Sequence, residues 1–186
     1  MVKRIVTVND IAKLYLGLNL SRGESSYPAN ALYSLKDLES DLESSSGNAT
    51  ANNNSTSNEF YITKTNDIVM NLTTKTCAIV GRKNEGKILK NAFVKIILDE
   101  TLVDPWYFCY AINNSTLFKQ SISTEVLTIV RPLSISILGN ASIALPSIST
   151  QQKIGTIYKS ICKLNCLYKQ KQVFLSQALK KLSDNI

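Results

Sequence analysis

The chain has 186 residues, 44% of them hydrophobic, with a formal charge of +7, which suits one ordinary domain with a normal core and an appendage. It contains no histidine, which excludes Ser-His and Cys-His catalysis and makes a zinc site of the usual ligand set improbable. The charge is uneven. Residues 1–150 hold 14 Lys/Arg against 13 Asp/Glu, so the excess falls on the C-terminal stretch, as expected beside a polyanion or an acidic protein. A merely solvated lysine face accounts for the same run.

Taken in order, residues 2–16 alternate loosely (Val2, Ile5, Val6, Val8, Ile11, Leu14) and end at Gly17, predicting a short strand and a turn of helix. Residues 18–36 read as irregular, punctuated by Arg22-Gly23 and Pro28. Asp37, Glu39, Asp41 and Glu43 then lead into 44–58, a Ser/Asn/Thr run that cannot bury apolar surface and is expected to be a mobile surface loop. Residues 67–72, 76–80 and 91–98 are three β-rich runs bounded by polar turns. Between the second and third lies a basic, glycine-flanked loop, Gly81-Arg82-Lys83-Asn84-Glu85-Gly86-Lys87.

Asp104-Pro105 is a helix start, Asp as N-cap and Pro at the first helical position, with the helix running over 106–113. Residues 117–132 fit either element, and 143–145 read as a last short strand. The globular part is therefore α+β with a mixed sheet, over 1–146, followed by a helix over 147–186.

That helix organises the chain. Ser149 and Gln152 have the spacing of a capping box. Beyond them Ile154, Ile161, Tyr168, Leu175 and Leu182 recur every seven residues, with Ile157, Leu164 and Ala178 at the alternate seam position and Lys171 as the one break. Such a seam asks for a partner helix, and a rod of roughly 45–50 Å is too long to bury in so small a domain. The competing arrangement is a helix packed flat on its own domain through Ile157, Tyr158, Ile161 and Leu179.

Other chemistry is absent. No phosphate-cradling Gly-x-x-x-x-Gly-Lys-Ser/Thr and no Gly-x-Gly-x-x-Gly occurs. Asp104-Pro105-Trp106-Tyr107 approaches an adenine-methyltransferase motif but has one proline, and the only adjacent acidic pair is Asp99/Glu100. The four cysteines, Cys77, Cys109, Cys162 and Cys166, form no Cys-x-x-Cys pair, and Cys162 and Cys166 read as small core or seam residues. No signal-peptide core and no membrane-length run is present, so a cytoplasmic protein with reduced thiols is expected, and sequons such as Asn48, Asn71 and Asn140 read as chance. A binder is expected, not a catalyst.

Taken together, Asn9-Asp10-Ile11-Ala12, Asn66-Asp67-Ile68-Val69, Ala78-Ile79-Val80, Asn91-Ala92-Phe93, Asp104-Pro105-Trp106-Tyr107 and Leu138–Pro146 with Gln151-Gln152-Lys153-Ile154 resemble the DNA-specificity subunit of type I restriction–modification systems. The resemblance covers nearly the whole chain as one target-recognition domain and the helix after it. Ala144 and Thr150 depart from that family's usual proline and glutamate. It implies a non-catalytic subunit without its own cofactor, S-adenosylmethionine and ATP belonging to partner subunits. Its implied partners are double-stranded DNA, methyltransferase subunits, a restriction motor subunit and, for this half-length form, a second copy paired through the seam. For DNA contact the candidates are Arg82, Lys83, Asn84 and Lys87, with Thr73, Thr74 and Lys75 nearby: Arg and Asn suit guanine and adenine edges, and Lys suits phosphates. A basic coiled-coil interaction protein that reads no sequence, or a truncated inactive remnant, is the alternative.

Overall fold

The computed structural model describes residues 4–19, 27–44, 59–123 and 132–184. Strand β1 (Arg4–Thr7) leads through a single 3-10 turn into β2 (Ala12–Leu16). Helix α1 (Leu35–Ser44) follows, then β3 (Ile68–Asn71), β4 (Thr76–Ile79) and β5 (Phe93–Leu98). Next come α2 (Pro105–Asn114), α3 (Thr116–Ser123), α4 (Ile135–Asn140), β6 (Ser142–Leu145) and α5 (Ile148–Ser183). The α+β expectation holds; of the mixed sheet, every pairing between these strands is antiparallel, and parallel pairing occurs at the isolated bridges Leu18–Lys90 and Leu32–Ile88.

Four strands form an antiparallel sheet in the order β2-β5-β3-β4. Side chains alternate across a strand, and here both faces are covered. Ile68, Met70, Cys77, Ile79, Val94 and Ile96 enter one core with Phe108 and Ile112 of α2, while Val69, Ala78, Val80 and Phe93 enter a second with Tyr33 and Leu38. Burial on both sides is why the three runs after residue 66 read as nearly continuous apolar strings. β1 pairs antiparallel with β6, Arg4 opposite Leu145 and Thr7 opposite Ser142, so the start of the described chain is stitched to the strand that feeds α5.

Three local expectations are refined. The short strand and helical turn expected over 2–16 are β1 and the 3-10 turn at Val8–Asp10, and a further strand, β2, follows them, held along its length by β5. Residues 35–44 are helical, taking in the last two residues of the stretch expected to be irregular over 18–36: Ser34 and Asp37 cap each other's backbone, and Leu38 and Leu42 turn one stripe onto the second core. The N-cap of α5 is Ser147 rather than Ser149, with the Thr150 and Gln151 amides donating to its carbonyl. The Asp104 cap is as expected, its Oδ1 accepting from the Tyr107 amide at 2.8 Å. Of the ambiguous 117–132, residues to 123 are helical and 124–131 lie outside the described residues, as does the polar run at 45–58.

α5 is 36 residues long, about 54 Å at 1.5 Å per residue. Its first turns lie on α2. Gly155 sits so close that a Cβ there would stand 2.5 Å from Asp104 Oδ1 and 2.9 Å from Trp106 Cβ. Asn113 Nδ2 donates to the Tyr158 hydroxyl at 2.8 Å, and Lys159 lies over the Trp106 ring. Gln151, Gly155 and Cys162 are buried on this face. The seam residues Ile157, Ile161, Leu164, Tyr168, Leu175 and Leu182 are exposed, lying roughly 140° round the helix from the buried stripe. Of the stripe proposed for flat packing, only Tyr158 packs on the domain, and Ile157, Ile161 and Leu179 do not. Ile154, half-buried, touches the core from the border between the faces. Beyond Lys169, which meets Glu43 of α1, no hydrogen bond or ion pair ties α5 to another element among the described residues. No described helix is long and apolar enough to cross a membrane.

Candidate nucleic-acid interface

The seven residues singled out for DNA do not come together. Thr73, Thr74 and Lys75 form the turn between β3 and β4, whereas Arg82, Lys83, Asn84 and Lys87 follow β4 at its other end. An extended strand advances about 3.3 Å per residue, so the two groups stand roughly 20 Å apart.

The turn at 72–75 is built on Asn71, whose Oδ1 accepts from the Thr73 and Thr74 amides at 2.9 and 2.8 Å. Lys75 takes the left-handed conformation that closes this turn, with φ of 57°. Thr74 and Lys75 line a cleft of about 570 Å³ together with Ile112, Phe118, Lys119 and Ile122.

The other loop is a single 3-10 turn over Arg82–Asn84, capped by Gly81. Arg82 and Lys83 are exposed. Asn84 is only 4% exposed and does not face solvent. Its Nδ2 donates to Asp41 Oδ1 at 2.8 Å and to the Asp37 carbonyl at 3.2 Å. Both donors of its amide are spent inside the fold and the side chain is buried, so it leaves the set of base-reading candidates. Lys87 is half-buried and ion-paired with Asp37 Oδ1 at 2.5 Å. What remains outward at this end is the Arg82–Lys83 pair.

Reasoning on sequence missed what holds that pair in place. Asp41, 2% exposed, accepts from Tyr33 Oη at 2.7 Å, from the Gly81 amide at 3.0 Å and from Asn84. Burial pushes the Asp41 carboxyl above its ordinary value, against the downward pull of those donors. The Tyr33 hydroxyl is pushed far up by burial and by Asp41. In Asp37 burial also acts upward, but hydrogen bonds from Lys87 and Ser34 outweigh it and hold the carboxyl below its ordinary value. The signal was the acid spacing: Asp37 and Asp41 are four apart, hence on one helix face toward the loop, while Glu43 turns to Lys169.

The junction of domain and arm rests on a second overlooked side chain. Gln151, 2% exposed, accepts from the Asp104 amide at 3.0 Å and donates to Leu102 O at 3.1 Å and Pro146 O at 2.9 Å. The sequence had pointed to its neighbour Gln152, which is exposed.

A sheet domain stitched through β1 and β6 to a long, solvent-flanked helix defines a class, the fold of type I restriction–modification specificity subunits. Two of the solved structures that match are the following. The HsdS subunit from Thermoanaerobacter tengcongensis superposes with a TM-score of 0.55 at 10% identity, over 91% of this chain and 39% of that one. A structure described by the assembly and conformational transition of the type I restriction–modification system does so with a TM-score of 0.60 at 14% identity, over 97% and 43%. The chain therefore spans about two-fifths of the length of the structures it resembles, and resembles them as a single domain-and-helix unit. No family model matches the sequence, and no curated protein matches it.

Proposed function

We propose that this chain is a DNA-recognition unit of a type I restriction–modification system, in which residues 1–146 read one half-site and residues 147–186 set the distance to a second reader. The observation that carries the proposal is the division of α5 into two faces, one packed on the domain through Gln151, Gly155 and Cys162, the other an apolar stripe left to solvent. A stripe of Ile157, Ile161, Leu164, Tyr168, Leu175, Ala178 and Leu182 on a rod of about 54 Å is suited to an antiparallel copy of itself. An isologous pair presents the same reader twice, so the target is an inverted repeat interrupted by unread bases. A rod of that length exceeds one DNA turn of ~34 Å, which makes the gap a geometric property of the helix.

In this reading Arg82 and Lys83 contact DNA from one end of β4, and Thr73, Thr74 and Lys75 from the other. The chain performs no chemistry. Methyltransferase subunits bring S-adenosylmethionine, a motor subunit brings ATP, and the paired rods are the scaffold on which they assemble. The lysines of α5 add a sequence-independent attraction to phosphate.

The test is selection of duplexes from a randomised pool by the purified chain. An enriched inverted repeat with a fixed gap, lost on replacing Arg82 and Lys83 together by alanine, is the expected result. Salt-sensitive binding with no enriched sequence overturns the proposal and leaves a basic interaction protein.

A further inference from the structure

The Arg82–Lys83 turn is one residue longer than the pair it displays, and both of its ends hang on one buried carboxylate. Gly81, the residue before the turn, donates its amide to Asp41 Oδ1 at 3.0 Å. Asn84, the residue after the pair, donates Nδ2 to the same oxygen at 2.8 Å. The other oxygen of Asp41 accepts from Tyr33 Oη at 2.7 Å, and the Tyr33 ring stands edge-on to Phe93 of β5 at 5.3 Å. The carboxylate is thereby anchored to the sheet and not merely to its own helix. An ionised carboxylate offers only acceptors, which matches the donors that Tyr33, Gly81 and Asn84 turn toward it. On the far side, Thr63 holds the remainder of the loop, accepting from the Lys87 amide at 2.9 Å and donating to the Asn84 carbonyl.

We propose that Asp41 is a positioning residue for sequence reading: it sets where Arg82 and Lys83 stand by clamping both ends of their turn, and touches no DNA itself. The inference rests on the reading of Arg82–Lys83 as the base-facing pair. A long basic side chain on an unclamped turn still finds phosphates, since that attraction is non-directional. It loses the fixed geometry that a bidentate contact to a base edge requires. Removing the clamp therefore separates two quantities that a general loss of folding would lower together, affinity for any duplex and preference for one duplex.

The experiment compares the full chain with Asp41→Ala, Asp41→Asn, Asn84→Ala and Arg82→Ala. The probes are the duplex enriched from a randomised pool by the unaltered chain and the unselected pool itself, with near-UV circular dichroism reporting packing. Asp41→Ala is expected to cut the preference for the enriched duplex about tenfold, the worth of one good base contact, while the affinity and salt slope on the unselected pool stay unchanged. Asp41→Asn keeps Oδ1 for Gly81 and Asn84 and restores most of the preference, because the Tyr33 hydroxyl can turn to accept from the new amide. A folded Asp41→Ala chain with full preference overturns the inference, as does an Asp41→Asn chain no better than Asp41→Ala. If Asp41→Ala fails to fold, Asn84→Ala severs only one end of the turn and decides instead: preserved preference overturns the inference and lost preference supports it. Loss of preference in Arg82→Ala without loss in Asp41→Ala refutes the positioning role alone. An Arg82→Ala chain with full preference refutes the underlying reading of the loop.

Discussion

Removing the Gln151 side chain isolates the joint between domain and arm. Its amide makes three hydrogen bonds, to the Asp104 amide, Leu102 O and Pro146 O, in a site 2% exposed. Each such bond contributes about 1 kcal/mol net, and an unsatisfied buried group costs at least that much. Gln151→Ala should therefore destabilise the chain by about 3 kcal/mol, read as a shifted midpoint in denaturant or as a fall of about 6–12 °C in Tm for a chain of this size. Gln151→Glu goes further at neutral pH. Its carboxylate still accepts from Asp104 but faces two carbonyl oxygens that need donors. Its folded pKa is then raised above the ordinary glutamate value of about 4.3, so stability is retained below that pH and lost as pH rises toward the folded value. A Gln151→Ala midpoint within about 1 kcal/mol of the parent, or a Gln151→Glu chain that gains nothing on acidification, refutes the reasoning.

Three further outcomes follow from the same geometry. Gly155→Ala places a Cβ 2.5 Å from Asp104 Oδ1 and 3.0 Å from the Tyr107 amide nitrogen, and should cost about 1–3 kcal/mol in denaturant, a neutral result meaning that α2 and α5 part easily. Charged residues at Ile161 and Leu164, 47% and 52% exposed, should leave the thermal midpoint of a monomer unchanged and abolish self-association by light scattering; an unaffected dimer places the contact elsewhere. Lys95, 2% exposed, pairs with Asp67 at 2.6 Å, and burial raises the Asp67 carboxyl against the pull of Lys95. Lys95→Met should thus cost about 3–5 kcal/mol, and adding Asp67→Asn should recover part of it, non-additivity that a denaturation cycle measures directly.

How far the site was legible follows from which contacts are local. The Asp104-Pro105 cap was readable because its partner, the Tyr107 amide, lies three residues away. The basic loop after β4 was readable as a loop for the same reason, through its glycines and polar run. Whether each of its side chains faced outward was not. Asn84 and Lys87 are claimed by Asp41 and Asp37, more than forty residues earlier, and no spacing within the loop announces that. Thr73 to Lys75 were grouped with Arg82 by nearness in sequence, yet a strand between two loops carries them to opposite ends of a sheet.

By itself the amino-acid order determined the local and periodic facts: three β-rich runs bounded by polar turns, a capped helix at 105, and a long helix whose apolar residues recur every seven. These follow from backbone sterics and from the 2.0 and 3.6 periods, which act between near neighbours. Only the tertiary structure decided which face of that helix the domain keeps. Gln151, Gly155 and Cys162 won that contact because α2 allows a close approach at Gly155 and because the backbone at Leu102, Asp104 and Pro146 offers groups that Gln151 satisfies, neither of which is a hydrophobic signal. With those groups satisfied, the heptad stripe beyond Ile154 was left outside.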